Sequence, residues 1–264
     1  VEREALHSGR ISEGVLPPLS RLPAVLPVDG ARPLPQPAPG QHAPRGLRLL
    51  IGIVVGLRAE ARIARRLAER FGARIEIGGG DAAGAGLAVR RLIEAGADRL
   101  VSFGLAGGLS RSLRAGDVLI PSHALLDGRL VATDLDLNAA LGGATGHRLL
   151  ASDAVAATVA EKRRLRETTG ADAVDLETAA VVREGLPFAA LRAICDEAGR
   201  DLPPAALAAL GQDGAVVTLR VAASALRRPS QIPALIGLGR DAARARRALL
   251  SHPLGAPPQS TGGR

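Results

Sequence analysis

The chain has 264 residues, 47% of them hydrophobic, which is enough for one large single-core domain or at most two small ones. Cys195 is the only cysteine, so a disulfide framework and a cysteine-based zinc site are excluded, and a reducing compartment, by default the cytoplasm, is expected. The net charge is +8, but the 34 basic residues are scattered and all but one are arginine, while the aromatics that would stack on bases are three Phe alone. Composition therefore argues for an Arg-, Ala- and Gly-biased chain, not a nucleic-acid-binding one.

Residues 1–45 are proline-rich, follow neither a helical nor an alternating period, and lack the apolar stretch of a signal peptide; they are expected to form a disordered tail or to lie upstream of the true start. From Leu47 onward the pattern alternates strand and helix, as in an α/β domain with a largely buried sheet. "LRLLIGIVV" is a strand and "RAEARIARRLAERF" the helix after it; "RIEIGG" is a short strand, followed by the helix "GAGLAVRRLIEAG". "DRLVSFGLAGGL" is an apolar strand that runs into glycines, and "GDVLIPSHALLDGRLVATD" gives strands about a turn at Asp127-Gly128. A helix is expected over "DAVAATVAEKRRLRETT" (153–169), then "AVDLETAA" with a helix of its own, then the strand "PFAALRAICD". "IPALIGLGRDAARARRALL" is an amphipathic helix with an Arg-rich face, and residues 251–264 are expected to form a second tail. The longest apolar runs fall well short of the roughly 20 residues of a membrane-spanning helix.

Two features call for explanation. In "AVDLETAA", Asp175 and Glu177 sit inside an apolar run; a buried carboxylate needs internal donors, exposure, or a ligand that supplies hydroxyls. In "SFGLAGGL", glycines after a buried strand permit close approach of a ligand or a plain tight turn, but Gly104, Gly107 and Gly108 do not fit the dinucleotide spacing G-x-G-x-x-G.

Taken in order, "VVGLRAEARI" (54–63), "SFGLAGGL" (102–109), "AVDLETAAV" (173–181) and "LRAICDEA" (191–198) resemble the nucleoside phosphorylase and nucleosidase superfamily. Within it the chain is similar to methylthioadenosine/S-adenosylhomocysteine nucleosidases, and most to the hopanoid-biosynthesis-associated phosphorylase branch, over about residues 47–250. The resemblance implies a single three-layer αβα domain over residues 46–250 with a central mixed, twisted sheet. It further implies a small-molecule nucleoside substrate, no metal or organic cofactor, phosphate as a conceivable co-substrate, and a homo-oligomer.

The same resemblance assigns roles. Glu177 would hydrogen-bond the ribose hydroxyls and stabilise developing positive charge on the sugar, with Leu176 as an apolar wall beside it and Asp175 as a structural acceptor. Asp196 would protonate the leaving purine, although from local sequence alone it could equally cap the segment that follows. Glu60 would position and deprotonate the attacking water, whereas Arg58 and Arg62 could contribute to a phosphate site. Gly104, Leu105, Ala106 and Gly107 would form the loop at the nucleophile; Leu105 stands where many relatives carry a Ser, which favours water over phosphate as acceptor. Val155 and Ala156 would border the purine, Val155 replacing an aromatic. Cys195, with no nearby His to activate it, is read as a small buried residue. The hopanoid branch implies adenine removal from adenosylhopane. For so apolar a substrate the C-terminal helix offers two readings: a face packed on the core, or leucines and arginines resting peripherally on the inner membrane.

Overall fold

The computed structural model describes residues 50–207 and 227–258; the proline-rich segment 1–45 and residues 259–264 lie outside the described residues. The order is β1 (Ile51–Val55), α1 (Arg58–Phe71), β2 (Arg74–Ile77), α2 (Ala82–Glu94), β3 (Arg99–Gly108), β4 (Val118–Leu119), β5 (His123–Leu126) and β6 (Arg129–Ala132). Then come α3 (Leu135–Leu141), β7 (Arg148–Ala151), α4 (Val159–Thr169), β8 (Ala173–Asp175), α5 (Thr178–Arg183), β9 (Phe188–Asp196) and α6 (Pro204–Leu207). A 3₁₀ turn (Pro229–Gln231) leads into α7 (Ile232–Ser251).

The strands form one mixed sheet in the order β2-β1-β3-β8-β7-β5-β6, with β9 pairing β3 and β4 off this path. Strand β1 is parallel to both β2 and β3, and every one of its residues is buried, as the run "IGIVV" predicts for a strand covered on both faces. Alternation then decides which helix covers which side. Ile51, Ile53 and Val55 pack with Ala64 and Leu67 of α1, Leu137 and Leu141 of α3, and Ala245 and Leu249 of α7. On the opposite face Val54 packs with Ala85, Ala88, Val89 and Leu92 of α2 and with Ala180 and Val181 of α5. Helices on both faces of a mixed sheet give the expected αβα layering. Each such large side chain, removed wholly from water, contributes roughly 1.5–3 kcal/mol.

Strand β3 gains a partner near its end. It runs parallel to β9 from Leu100 to Gly107, with a one-residue register slip between Ala106 and Gly107, and Gly107 and Gly108 also pair antiparallel with β8. The β5–β6 hairpin turns at Asp127 (φ 50°) and Gly128 (φ 75°), both left-handed, as a two-residue Asp-Gly turn requires.

The structure corrects three expectations. The helix expected over 153–169 starts at Val159, because Thr158 and Glu161 form a reciprocal cap: the Thr158 hydroxyl accepts from Glu161 N–H (3.2 Å) and the Glu161 carboxylate from Thr158 N–H (3.0 Å). Residues 153–158 are left as an irregular segment. Helix α3 and strand β7, which no pattern announced, lie between β6 and α4. Finally, residues 252–255 of the expected C-terminal tail lie against α1 and α3, with Gly255 N–H donating to Ala140 O (2.9 Å), Arg70 Nη2 to Gly255 O (2.7 Å) and Arg66 Nη1 to His252 O (3.1 Å).

Candidate active site

A cavity of about 490 Å³ opens where β3, β8 and β9 end, a volume suited to a small organic ligand. Glu60, Leu105, Ala106, Gly107, Val155, Ala156, Leu176, Glu177 and Asp196 all line it. Segments separated by more than a hundred residues thus meet where the sequence reading grouped them.

Glu60 enters from the first turn of α1, where a glutamate can reach back to the helix start: its Oε2 accepts from Leu57 N–H at 2.8 Å. Its Oε1 accepts from Leu105 N–H on β3, also at 2.8 Å. The carboxyl is buried and its pKa is pushed up by that burial, against the Arg192 charge and the backbone donors. Gly104 explains itself here. It is not in the cavity wall but lies beneath it with φ 151°, and a Cβ there would sit 2.6 Å from Glu60 Oε1 and 2.9 Å from Arg192 Nη1. The missing side chain leaves room for these two charged groups.

The two carboxylates of "AVDLETAA" have an internal donor in Arg192, a fully buried residue of β9. Its Nη2 pairs with Asp175 Oδ2 and donates to Ser102 Oγ; its Nη1 pairs with Glu177 Oε2 at 3.1 Å and donates to Leu105 O at 3.2 Å. Asp175 Oδ2 also accepts from Thr178 Oγ1 at 2.7 Å, which makes it the structural acceptor expected of it. One guanidinium therefore serves Asp175, Glu177 and Glu60, leaving an excess of negative charge. Burial pushes Glu177 up to about 7, with the charges of Asp175 and Glu60 adding to the rise and Arg192 opposing it. Glu177 is buried in the cavity wall, and a Cβ on Gly56 would collide with its Oε1.

Asp196 ends β9, just past the residue at which the register with β3 slips. Its Oδ2 pairs with Lys162 Nζ at 2.6 Å. Burial raises its pKa, against the hydrogen bond and charge of Lys162. The thiol of Cys195 next to it is pushed up to about 12 by burial and by the Asp196 and Glu60 charges, so it stays protonated at neutral pH and is no nucleophile.

Other placements differ from expectation. Arg58 and Arg62 are exposed on α1 and do not line the cavity. Leu235 and Leu238 of α7, offered to a bilayer in one reading, line the cavity together with Gly239, Ala242 and Arg246, while Ala245 and Leu249 pack into the core. Ile236 and Leu250 stay exposed, and among the described residues no helix is long and apolar enough to cross a membrane. Sequence reasoning missed Arg192, Lys162 and the α7 wall. An arginine inside "FAALRAIC" and a single lysine in an arginine-rich chain were the available signals; the α7 wall had none beyond its apolar stripe.

No protein-family model and no curated protein sequence matches the chain. Solved structures do match it in fold. Futalosine hydrolase of Helicobacter pylori superposes with a TM-score of 0.51 at 17% identity, covering 76% of this chain and 95% of that one. The 5′-methylthioadenosine/S-adenosylhomocysteine nucleosidase of H. pylori, in complex with a substituted pyrrolidinol, gives 0.51 at 17%, covering 77% and 97%. The nucleosidase of the same description from Colwellia psychrerythraea, in complex with adenine, gives 0.51 at 17%, covering 80% and 98%. At such identity the likeness is one of fold: a central mixed sheet flanked by helices, shared with these nucleosidases.

Proposed function

We propose that this protein is a nucleosidase that cleaves the N-glycosidic bond of an adenine nucleoside and uses water as the acceptor. The observation that carries the reading is the convergence of Glu60, the Glu177–Arg192 pair and Asp196 on one cavity, three chemistries that bond cleavage at a ribosyl carbon requires. Asp196 protonates the purine as the electron pair of the C1′–N9 bond passes to the base, because an unprotonated adenine anion is a poor leaving group. Glu177 accepts hydrogen bonds from the ribose hydroxyls and stabilises the cationic sugar. Glu60, its acidity weakened by burial, takes the proton of the water that attacks C1′. The surplus of carboxylates over Arg192 supports water, since a phosphate dianion entering there would meet like charge.

The apolar wall of Leu202, Ala206, Leu235, Leu238 and Ala242 supports a substrate with a large apolar 5′ substituent, adenosylhopane being the one that the sequence resemblance implies. Phosphorolysis is the second reading, carried by Arg246 in the cavity wall. The test is incubation with adenosine, methylthioadenosine and adenosylhopane, with and without phosphate, followed by chromatography for free adenine and ribose 1-phosphate. Adenine without phosphate is the expected product. Absence of adenine in every incubation would refute the reading, and a strict need for phosphate would replace hydrolysis by phosphorolysis.

A further inference from the structure

Lys162 is the only lysine in a chain whose other cationic side chains are all arginine, and it is fully buried (0% exposed), where an ammonium rarely goes. It is the only buried residue of α4, a helix whose other residues are partly or fully exposed. Desolvating its charge costs several kcal/mol unless partners compensate, so its position has to be explained by what it meets. Three acceptors surround Nζ: Asp196 Oδ2 at 2.6 Å, Arg200 O at 2.7 Å and Glu197 O at 3.1 Å. That number matches the three N–H bonds of an ammonium. A planar guanidinium fork would not place its donors on three acceptors gathered about one point.

The turn after β9 has other ties. Arg200 N–H donates to Glu197 O at 3.3 Å, Glu197 Oε1 accepts from Ala115 N–H at 3.1 Å, and the Arg200 guanidinium pairs with Asp241 of α7 at 2.5 Å. What Lys162 alone supplies is the bond to the acid. No other donor reaches the Asp196 carboxylate among the described residues, and the side chain borders the cavity.

We propose that Lys162 is the positioning residue of the acid: it grips Oδ2 of Asp196, leaving Oδ1 to face the leaving base. The proposal rests on the nucleosidase reading for the identity of that base, but the grip itself does not. Its consequence has a definite sign. Lys162 opposes the rise that burial imposes on Asp196, through both hydrogen bond and charge, so its removal raises the Asp196 pKa further and keeps the acid protonated to higher pH. Arg200, Glu197 and Asp241, the other charged groups about the pair, are unchanged by that substitution, so the shift reports Lys162 alone.

Lys162→Met is therefore expected to lower kcat at least tenfold while KM changes by less than about threefold, and to move the alkaline limb of the kcat–pH profile up by roughly one pH unit or more. Lys162→Arg, which keeps the charge but not the three-acceptor geometry, lowers kcat and leaves the limb near its wild-type position. A role in folding alone would lower the melting temperature without moving the limb, and an unmoved limb in Lys162→Met overturns the proposal. A second measurement needs neither variant to fold nor any turnover. Protein labelled with ¹⁵Nζ-lysine has a single side-chain signal; the grip predicts a slowly exchanging ammonium in the wild type and its loss in Asp196→Asn. A signal that exchanges like a surface lysine, or one indifferent to Asp196→Asn, overturns the grip. Should the wild type release no base from any nucleoside, the nucleosidase reading fails, while this signal still decides whether Lys162 holds Asp196.

Discussion

Replacing Glu177 by Gln separates sugar binding from structural pairing, and the two roles predict opposite changes in stability. Glu177 is held at about 7 against an ordinary 4.5, so the folded protein retains a proton that the unfolded chain gives up. Ionising it in the folded state then costs on the order of 3 kcal/mol, at about 1.36 kcal/mol per pKa unit. The cost is absent below pH 4.5, where both states are protonated, grows between 4.5 and about 7, and is complete above that. Gln carries no such cost, and Arg192 keeps the charges of Asp175 and Glu60. With about 2–4 °C per kcal/mol for a chain of this size, Glu177→Gln should melt several degrees above the wild type at pH 8 and together with it near pH 4.5. At pH 8, where the wild-type carboxyl is ionised, kcat/KM for an adenine nucleoside should fall at least about a hundredfold, because the amide has no charge to set against a ribosyl cation, and the gap should narrow as pH falls below about 7. Melting curves by circular dichroism at pH 4.5, 6 and 8, beside adenine release at substrate levels below KM, measure both. A melting point that collapses at pH 8 would show that Arg192 depends on this carboxylate and that Glu177 is a structural residue. Retained kcat/KM would remove it from the chemistry.

Asp196→Asn should lower kcat at least about a hundredfold with KM nearly unchanged, read by steady-state adenine release. Gly104→Ala forces a Cβ to 2.6 Å from Glu60 Oε1 at a φ of 151°, so it should cost at least about 2 kcal/mol in urea titrations and abolish turnover by displacing Glu60. Leu238→Asn should raise KM roughly tenfold for a nucleoside with a large apolar 5′ group and hardly alter it for adenosine; equal effects on both would exclude α7 from 5′ recognition.

The αβα plan was legible because β1 is an unbroken apolar run and β9 one interrupted only by Arg192 before its terminal Asp196, set among helices with clear periodicity, and burial on both faces leaves few alternatives. Glu177 stood out as an acid set in an apolar run, while Glu60 and Asp196 were singled out by the resemblance of their motifs, whose order tied the three together. Arg192 carried the same signal with the opposite sign, an ion inside "FAALRAIC", but nothing in a linear reading states that it faces Asp175 and Glu177 across the sheet. The start of α4 was written in Thr158 and Glu161, a capping pair outvoted by the apolar residues before it. The α7 wall was beyond reach for a different reason. Helical periodicity says which face of α7 turns inward, as Ala245 and Leu249 do, but not that the same face continues along an open cavity at Leu235 and Leu238.

Strand β3, which holds β9 as far as Gly107 and β8 at Gly107 and Gly108, makes the site a fork with two tines. Leu176 and Glu177 follow the β8 tine and Asp196 ends the β9 tine, so the proposed sugar and base contacts leave on separate branches of a stem where Arg192 of β9 ties the two together through Glu177. Mutation can then retune one branch while the other keeps its geometry. A lineage built on this fork can exchange the base it releases without relearning how to hold a ribose, or change the sugar's appendage without disturbing its acid.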